Sequence, residues 1–267
     1  MTEVSALKAV GPQVVPTAYS VSWNLTRRCN LQCDHCYISA GPGPRRPDEL
    51  STAECLRVMD EIAEINPNIF LILTGGEPLL RPDLPALASA ARQRGFTVVV
   101  GTNGVLLRER QARLLRESGV QGLSLSLDST EPAPHDAFRG LPGAWQSAVR
   151  ATEICRAEGI EFSLHMSVTD WNAREIPAMI GLAGELGASV LNLFFLVRCG
   201  RGEGLTDIPA AQYEAILADL VETERAGGRP GGLLVRAKCA PQYRRLVWER
   251  DPASPLLAAY AEGACPA

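Results

Sequence analysis

Apolar and polar positions along this chain switch repeatedly between two periods. Residues 20–25 alternate polar and apolar and predict a strand. Residues 69–73, 96–100 and 123–127 are short apolar runs, the pattern of strands covered on both faces. Residues 160–168 and 190–196 predict two more. Between these runs the spacing becomes helical. Leu56, Met59, Ile62 and Ala63 share one helix face, and Ser51 with Glu54 predicts a capping box ahead of them. Residues 84–94, 108–118, 145–158, 175–186 and 209–226 predict further helices. Gly95, Gly119, Gly159 and Gly187 supply stops to four of them.

The result is six strand-then-helix units with short connections. Such alternation predicts parallel strands joined by right-handed crossovers. Six units predict an α/β fold of the partial (β/α)6 barrel type rather than a closed eightfold one. Three segments follow: a leader over 1–19, a barrel core over 20–227, and a small C-terminal extension over 228–267. The residues at odds with the apolar pattern lie just beyond strand C-terminal ends, the rim where parallel α/β folds bind ligands.

Composition narrows the classes. A chain of 267 residues that is 46% hydrophobic and 21% charged is ordinary globular material. A formal net charge of −4 gives no electrostatic case for nucleic acid. No stretch approaches a membrane span, and the first twenty residues hold no signal-peptide apolar run. The default expectation is a cytoplasmic, reducing location without a membrane partner, where cysteines serve as metal or redox ligands.

Three of the eight cysteines, Cys29, Cys33 and Cys36, fall in one short segment at spacing C-x3-C-x2-C. A 4Fe–4S cubane takes four thiolates. Three leave one iron open, and an open metal position is where a small molecule reacts. Zinc is the competing reading. It wants a fourth ligand, and His35, adjacent to Cys36, is poorly placed to complete a tetrahedron. Beyond later strands stand Gly75-Gly-Glu-Pro78, Thr102-Asn-Gly104 and Ser126-Leu-Asp128. Gly75 and Gly76 admit a close backbone approach, Glu77 offers an acceptor for an ammonium group, and Pro78 fixes the turn.

With these motifs in place the chain resembles the radical SAM superfamily over roughly residues 20 to 227. The resemblance implies a 4Fe–4S cluster on Cys29, Cys33 and Cys36, with S-adenosylmethionine bound through its amino and carboxylate groups at the open iron. It implies reductive cleavage to a 5′-deoxyadenosyl radical, which takes hydrogen from a substrate, and a reductase such as flavodoxin or ferredoxin as electron source. It implies cofactor contacts at Tyr37, His35, Gly75, Gly76, Glu77, Pro78, Asn103, Ser126, Asp128, Arg139 and Leu196. Asn103 reads equally as a turn former, and Leu196 as core packing.

Cys55 and Cys155 occupy apolar helix positions and read as buried, inert thiols. Cys199 opens a Gly-Arg-Gly turn after the sixth strand and reads as filler first, with a substrate-side thiol or an odd cluster ligand as the alternatives. His135 and His165 read as ordinary polar residues. Residues 232–238 predict a strand leading to Cys239-Ala-Pro, and Cys265-Pro-Ala267 follows. This stretch resembles the entry to the SPASM extension of haem-pathway enzymes and peptide maturases. That resemblance implies a peptide or tetrapyrrole substrate and an auxiliary Fe–S cluster. Two thiolates, Cys239 and Cys265, cannot hold a cubane, so the expectation is a chain that stops inside the module. The competing functions are a cluster-carrier or electron-transfer protein and a zinc-stabilised binding protein.

Overall fold

The computed structural model describes residues 20–225, 232–254 and 257. Seven strands form one sheet in sequence order: β1 (Ser20–Asn24), β2 (Phe70–Thr74), β3 (Thr97–Thr102), β4 (Gly122–Ser126), β5 (Glu161–Val168), β6 (Val190–Phe195) and β7 (Leu234–Lys238). Every neighbouring pair is parallel. The sheet curls into a half-barrel. The crossovers are α1 (Thr52–Ile65), α2 (Leu84–Gln93), α3 (Glu109–Glu117), α4 (Pro132–Arg139) with α5 (Ala144–Glu158), α6 (Ile176–Leu186) and α7 (Ala210–Arg225). A further helix, α8 (Gln242–Arg250), follows β7.

The strands alternate as the pleat requires. Leu71, Leu73, Val98, Val100, Leu123, Leu125, Leu164, Met166, Leu191 and Leu193 are fully buried against the helix layer, in one core with Leu87, Leu115 and Met179. The opposite face is half-buried and turns polar towards β5, where Ser163 and His165 stand. The α1 capping box forms as expected: the Ser51 amide donates to Glu54 Oε2 at 2.8 Å, and the Glu54 amide donates to Ser51 Oγ at 3.3 Å. Gly159 and Gly187 close α5 and α6 in the left-handed region.

Two differences from the sequence pattern stand out. The sheet has seven strands, not six. Leu234–Lys238, expected to open the extension, instead pairs with β6 in parallel register, Val190 opposite Leu234. Helix α4 has no counterpart among the elements read from the sequence, and it opens on Pro132 and Pro134. Both lie in its first turn, where the missing N–H groups have no helical partner to lose. Cys265 lies outside the described residues.

Candidate functional site at the strand C-terminal rim

The cysteine loop leaves β1 and is tied shut at its base. The Cys29 amide donates to the Gly41 carbonyl at 2.9 Å, and the Gly41 amide to the Arg27 carbonyl at 3.3 Å. Leu31 and Ala40 pack with Cys29 and Cys33 into a small apolar cluster that borders Val105 and Leu141. Each thiol receives a donor. The Leu31 amide meets Cys29 Sγ at 3.4 Å, the Ala40 amide meets Cys36 Sγ at 3.2 Å, and Asn103 Nδ2 approaches Cys29 Sγ at 3.7 Å. Arg139 Nη1 lies 3.9 Å from Cys33 Sγ. Burial pushes the free Cys29 thiol up to about 11, and it raises Cys33 despite Arg139. Metal binding here must therefore release protons. The three sulfurs act on one another electrostatically. Yet among the described residues no three His, Cys, Asp or Glu side chains converge on a single ion.

The Gly75–Pro78 turn braces that loop. The Gly76 amide donates to the Thr26 carbonyl at 2.7 Å, and the Glu77 amide to the Arg28 carbonyl at 2.8 Å. A Cβ on Gly75 would stand 2.5 Å from Thr26 O, and one on Gly76 would overlap Arg28 O. The close approach these glycines permit is to the cysteine loop itself. Glu77 is fully buried. Its Oε1 accepts from Thr102 Oγ1 at 2.8 Å and the Leu79 amide at 3.0 Å, and its Oε2 from the Asn103 amide at 2.9 Å. Burial pushes this carboxyl up to about 7, against those donors. Glu77 thus joins two rim turns; its oxygens are engaged within the protein. Asn103 is more than a turn former: Nδ2 donates to Asn30 Oδ1 at 2.9 Å, while Oδ1 accepts from the Val105 amide.

Ser126 ends β4, half-buried on the rim. Asp128 is fully buried two residues on. Arg139 Nε, from α4, donates to its Oδ2 at 2.6 Å, and the Ser167 amide to its Oδ1 at 2.8 Å. Burial alone would raise this carboxyl. The Arg139 guanidinium, with His35 and His135, outweighs burial and holds it at about 2. Arg139 is not a surface residue but a charge locked beside Cys33. His135 is also buried and accepts the Asp128 amide at Nδ1; burial lowers it to about 4. Burial likewise lowers His165 to about 4, with Nε2 at 3.2 Å from Ser163 Oγ.

The turn after β6 closes the rim. Gly200, at φ +57°, comes so near the loop that a Cβ would lie 2.5 Å from Tyr37 O. The Arg201 amide donates to Cys36 O at 3.2 Å, and Arg201 Nε to Cys33 O at 2.8 Å. A Cβ on Gly202 would touch both Leu196 Cδ1 and His35 Cα, so those two residues flank one spot. The His35 ring stacks on Phe138 at 4.4 Å and titrates near 3 because of its burial. Tyr37 is exposed and donates to Asn24 Oδ1 at 2.8 Å. Asn30 and Arg201 were not singled out in the sequence reading, and Thr102 stood there only as part of the Thr102-Asn-Gly104 turn. Of Asn30 and Arg201, only Arg201 left a signal, the Gly-Arg-Gly turn. Cys55 and Cys155 are fully buried, and Cys239 is exposed at the end of β7.

A parallel half-barrel with a closed three-cysteine loop, braced by glycine turns on its strand C-terminal rim, defines the class of fold. The chain matches the Radical SAM superfamily over residues 23–183 and belongs to it. It is 36% identical over 248 residues to the AdoMet-dependent heme synthase of Nitratidesulfovibrio vulgaris, covering 91% of this chain and 66% of that one. It is 39% identical over 227 residues to the heme synthase of the same name from Methanosarcina barkeri, covering 85% and 63%. A PqqA peptide cyclase from Granulibacter bethesdensis is 30% identical, covering 82% and 58%. Among solved structures, Streptococcus suis SuiB bound to S-adenosylmethionine superposes with a TM-score of 0.69 at 14% identity, covering 86% of this chain and 52% of that one. The chain spans roughly three fifths to two thirds of the length of these curated relatives. No helix among the described residues is long and apolar enough to cross a membrane.

Proposed function

We propose that this chain is the S-adenosylmethionine-cleaving core of a radical enzyme that acts on a tetrapyrrole, with a peptide as the second substrate class. The observation that carries the chemistry is the convergence of amide, amidic and guanidinium donors on all three loop thiols. Cys29, Cys33 and Cys36 would hold a 4Fe–4S cluster with one iron free for the methionine amino and carboxylate groups. When bound, the cluster would supply the single electron for reductive cleavage of S-adenosylmethionine, the source of the radical chemistry on the substrate.

The chain's own residues prepare that site. Donors from Asn103 and Arg139 favour the thiolate forms of Cys29 and Cys33. Glu77 fixes the Gly75–Pro78 turn against the Thr102–Gly104 turn, leaving backbone carbonyls rather than its carboxylate for an ammonium group. Ser126 presents a hydroxyl for the methionine carboxylate, and Leu196 with the His35 backbone flanks the adenine. The tetrapyrrole preference rests on the relatives: those named heme synthases are 35–39% identical, against 30–34% for the PqqA cyclases. A cytoplasmic reductase and an auxiliary cluster on Cys239, Cys265 and further ligands belong to the same reading.

Anaerobic reconstitution tests it. The wild type is expected to take up iron and sulfide and to release 5′-deoxyadenosine with dithionite and S-adenosylmethionine. Cys33→Ala is expected to release none. A Cys33→Ala protein that still makes 5′-deoxyadenosine removes the cluster loop from the mechanism. Tight zinc with no iron uptake restores the zinc-binding alternative.

A further inference from the structure

The inner face of the sheet turns away from the helix layer, and the parallel register sets its residues in rows. Ser126, His165, Asn192 and Arg236 form one row across β4, β5, β6 and β7, with neighbours about 5 Å apart. Lys238 follows Arg236 on the same face of β7. In the middle of this face the polar atoms serve one another. Ser163 Oγ donates to Ser124 Oγ at 3.1 Å and lies 3.2 Å from His165 Nε2, while the His165 ring leans on Phe194 at 5.0 Å.

Asn192 has no such arrangement. It is only 8% exposed, yet its Oδ1 has no hydrogen-bond partner, a costly state for a buried polar atom. No described residue engages its Nδ2 either. Beside it, Arg236 forms no ion pair among the described residues. Of the inner-facing residues on β4 to β7 only Glu161 carries a carboxylate, and it is exposed at the opposite end of β5. The β6–β7 side is therefore cationic in a chain of net charge −4. The χ2 torsion of Asn is broad, so a half-turn brings Nδ2 to the place of Oδ1. Amide and guanidinium can then both donate to one carboxylate.

The other side of the face describes the rest of the ligand. Ile72 and Val99 are register partners on β2 and β3, and a Cβ on Gly101 would meet Thr74 and Ile72. The inner positions of β1 to β3 bear no charge. A ligand with a broad apolar body and an acid at its edge matches both sides. An extended peptide would instead set backbone amides against Ile72 and Val99 without partners. We propose that Asn192 and Arg236 seat a side-chain carboxylate of a tetrapyrrole whose ring lies towards β2 and β3. The seat binds and orients; no bond is made or broken there. It deepens the tetrapyrrole reading above and rests on it.

Equilibrium dialysis against the reconstituted chain tests the seat, with coproporphyrin, which carries propionates, as probe. The wild type is expected to bind it. Arg236→Gln is expected to weaken binding about tenfold or more, and Asn192→Leu, which removes the amide without opening a hole, several-fold. Arg236→Lys keeps the charge and is expected to recover part of the loss. Added salt is expected to weaken the wild type more than Arg236→Gln. Circular dichroism and iron content identify variants that fold. A porphyrin with N-methylpyridinium groups in place of the acids is expected to lose no affinity in Arg236→Gln. Equal coproporphyrin affinity in the wild type and the folded variants overturns the seat and leaves the tetrapyrrole reading standing. If the wild type does not bind coproporphyrin, seat and reading fail together, and an acidic peptide that binds through Arg236 takes the tetrapyrrole's place.

Discussion

Two turns of the rim meet at Glu77. An unfolded glutamate titrates near 4.5, and burial pushes Glu77 up to about 7 in the fold. Between those values the folded chain keeps a proton that the unfolded chain has released. This group's contribution to stability is therefore greatest below pH 4.5 and falls as pH rises through 7, above which both states are ionised. The shift corresponds to roughly 3 kcal/mol. Glu77→Gln removes the titration at the cost of one mismatched donor. Urea unfolding of the metal-free protein between pH 4.5 and 8 is expected to show the wild type losing roughly 3 kcal/mol relative to the variant. Parallel pH profiles would exclude Glu77 as the source. The sequence displayed this residue clearly, in Gly-Gly-Glu-Pro, but not its partners. Thr102 and Asn103 lie about twenty-five residues away, and only the β2–β3 register brings them beneath its carboxylate.

At the scale of elements, the cysteine loop is held by its neighbours more than by itself. The turns after β2, β3 and β6 and helix α4 each place a backbone or side-chain group on it. The turn after β6 gives the sharpest test, because two of its glycines differ. A Cβ on Gly200 would strike Tyr37 O and Cys36 O, whereas a Cβ on Gly204 would meet nothing within 4 Å. Gly200→Ala is expected to lower the iron retained after gel filtration several-fold, and Gly204→Ala to leave it unchanged. Equal retention would mean the turn does not buttress the loop. The half-barrel itself was legible in the chain, since period-two and period-3.6 runs alternate and glycines punctuate them. Helix α4 was not, because prolines suit a first helical turn as well as a loop. Strand β7 was read as a strand but assigned to the extension, on the resemblance of the Cys239-Ala-Pro that follows it, whereas its Arg236 and Lys238 stand on an edge of the sheet. An edge strand in a parallel sheet has only one neighbour and tolerates such residues.

For the whole molecule the open question is how many clusters one chain holds. Four thiolates hold a cubane, or three where a small molecule takes the last iron. Cys55 and Cys155 are sealed in the helix layer, and burial pushes Cys155 up to about 12, so neither is available. Cys199 and Cys239 stand at the ends of the adjacent strands β6 and β7 and influence each other electrostatically. Those two thiols fall short of a ligand set. The reconstituted 267-residue chain is therefore expected to carry about four irons, all on the loop. Cys239→Ala should leave the iron count and the low-temperature electron paramagnetic resonance spectrum unchanged, while Cys29→Ala should abolish both. A count near eight irons that Cys239→Ala halves would place a second cluster within this chain. Cys199, Cys239 and Cys265 would then have to draw in a fourth, non-cysteine ligand, since no other thiol is within reach.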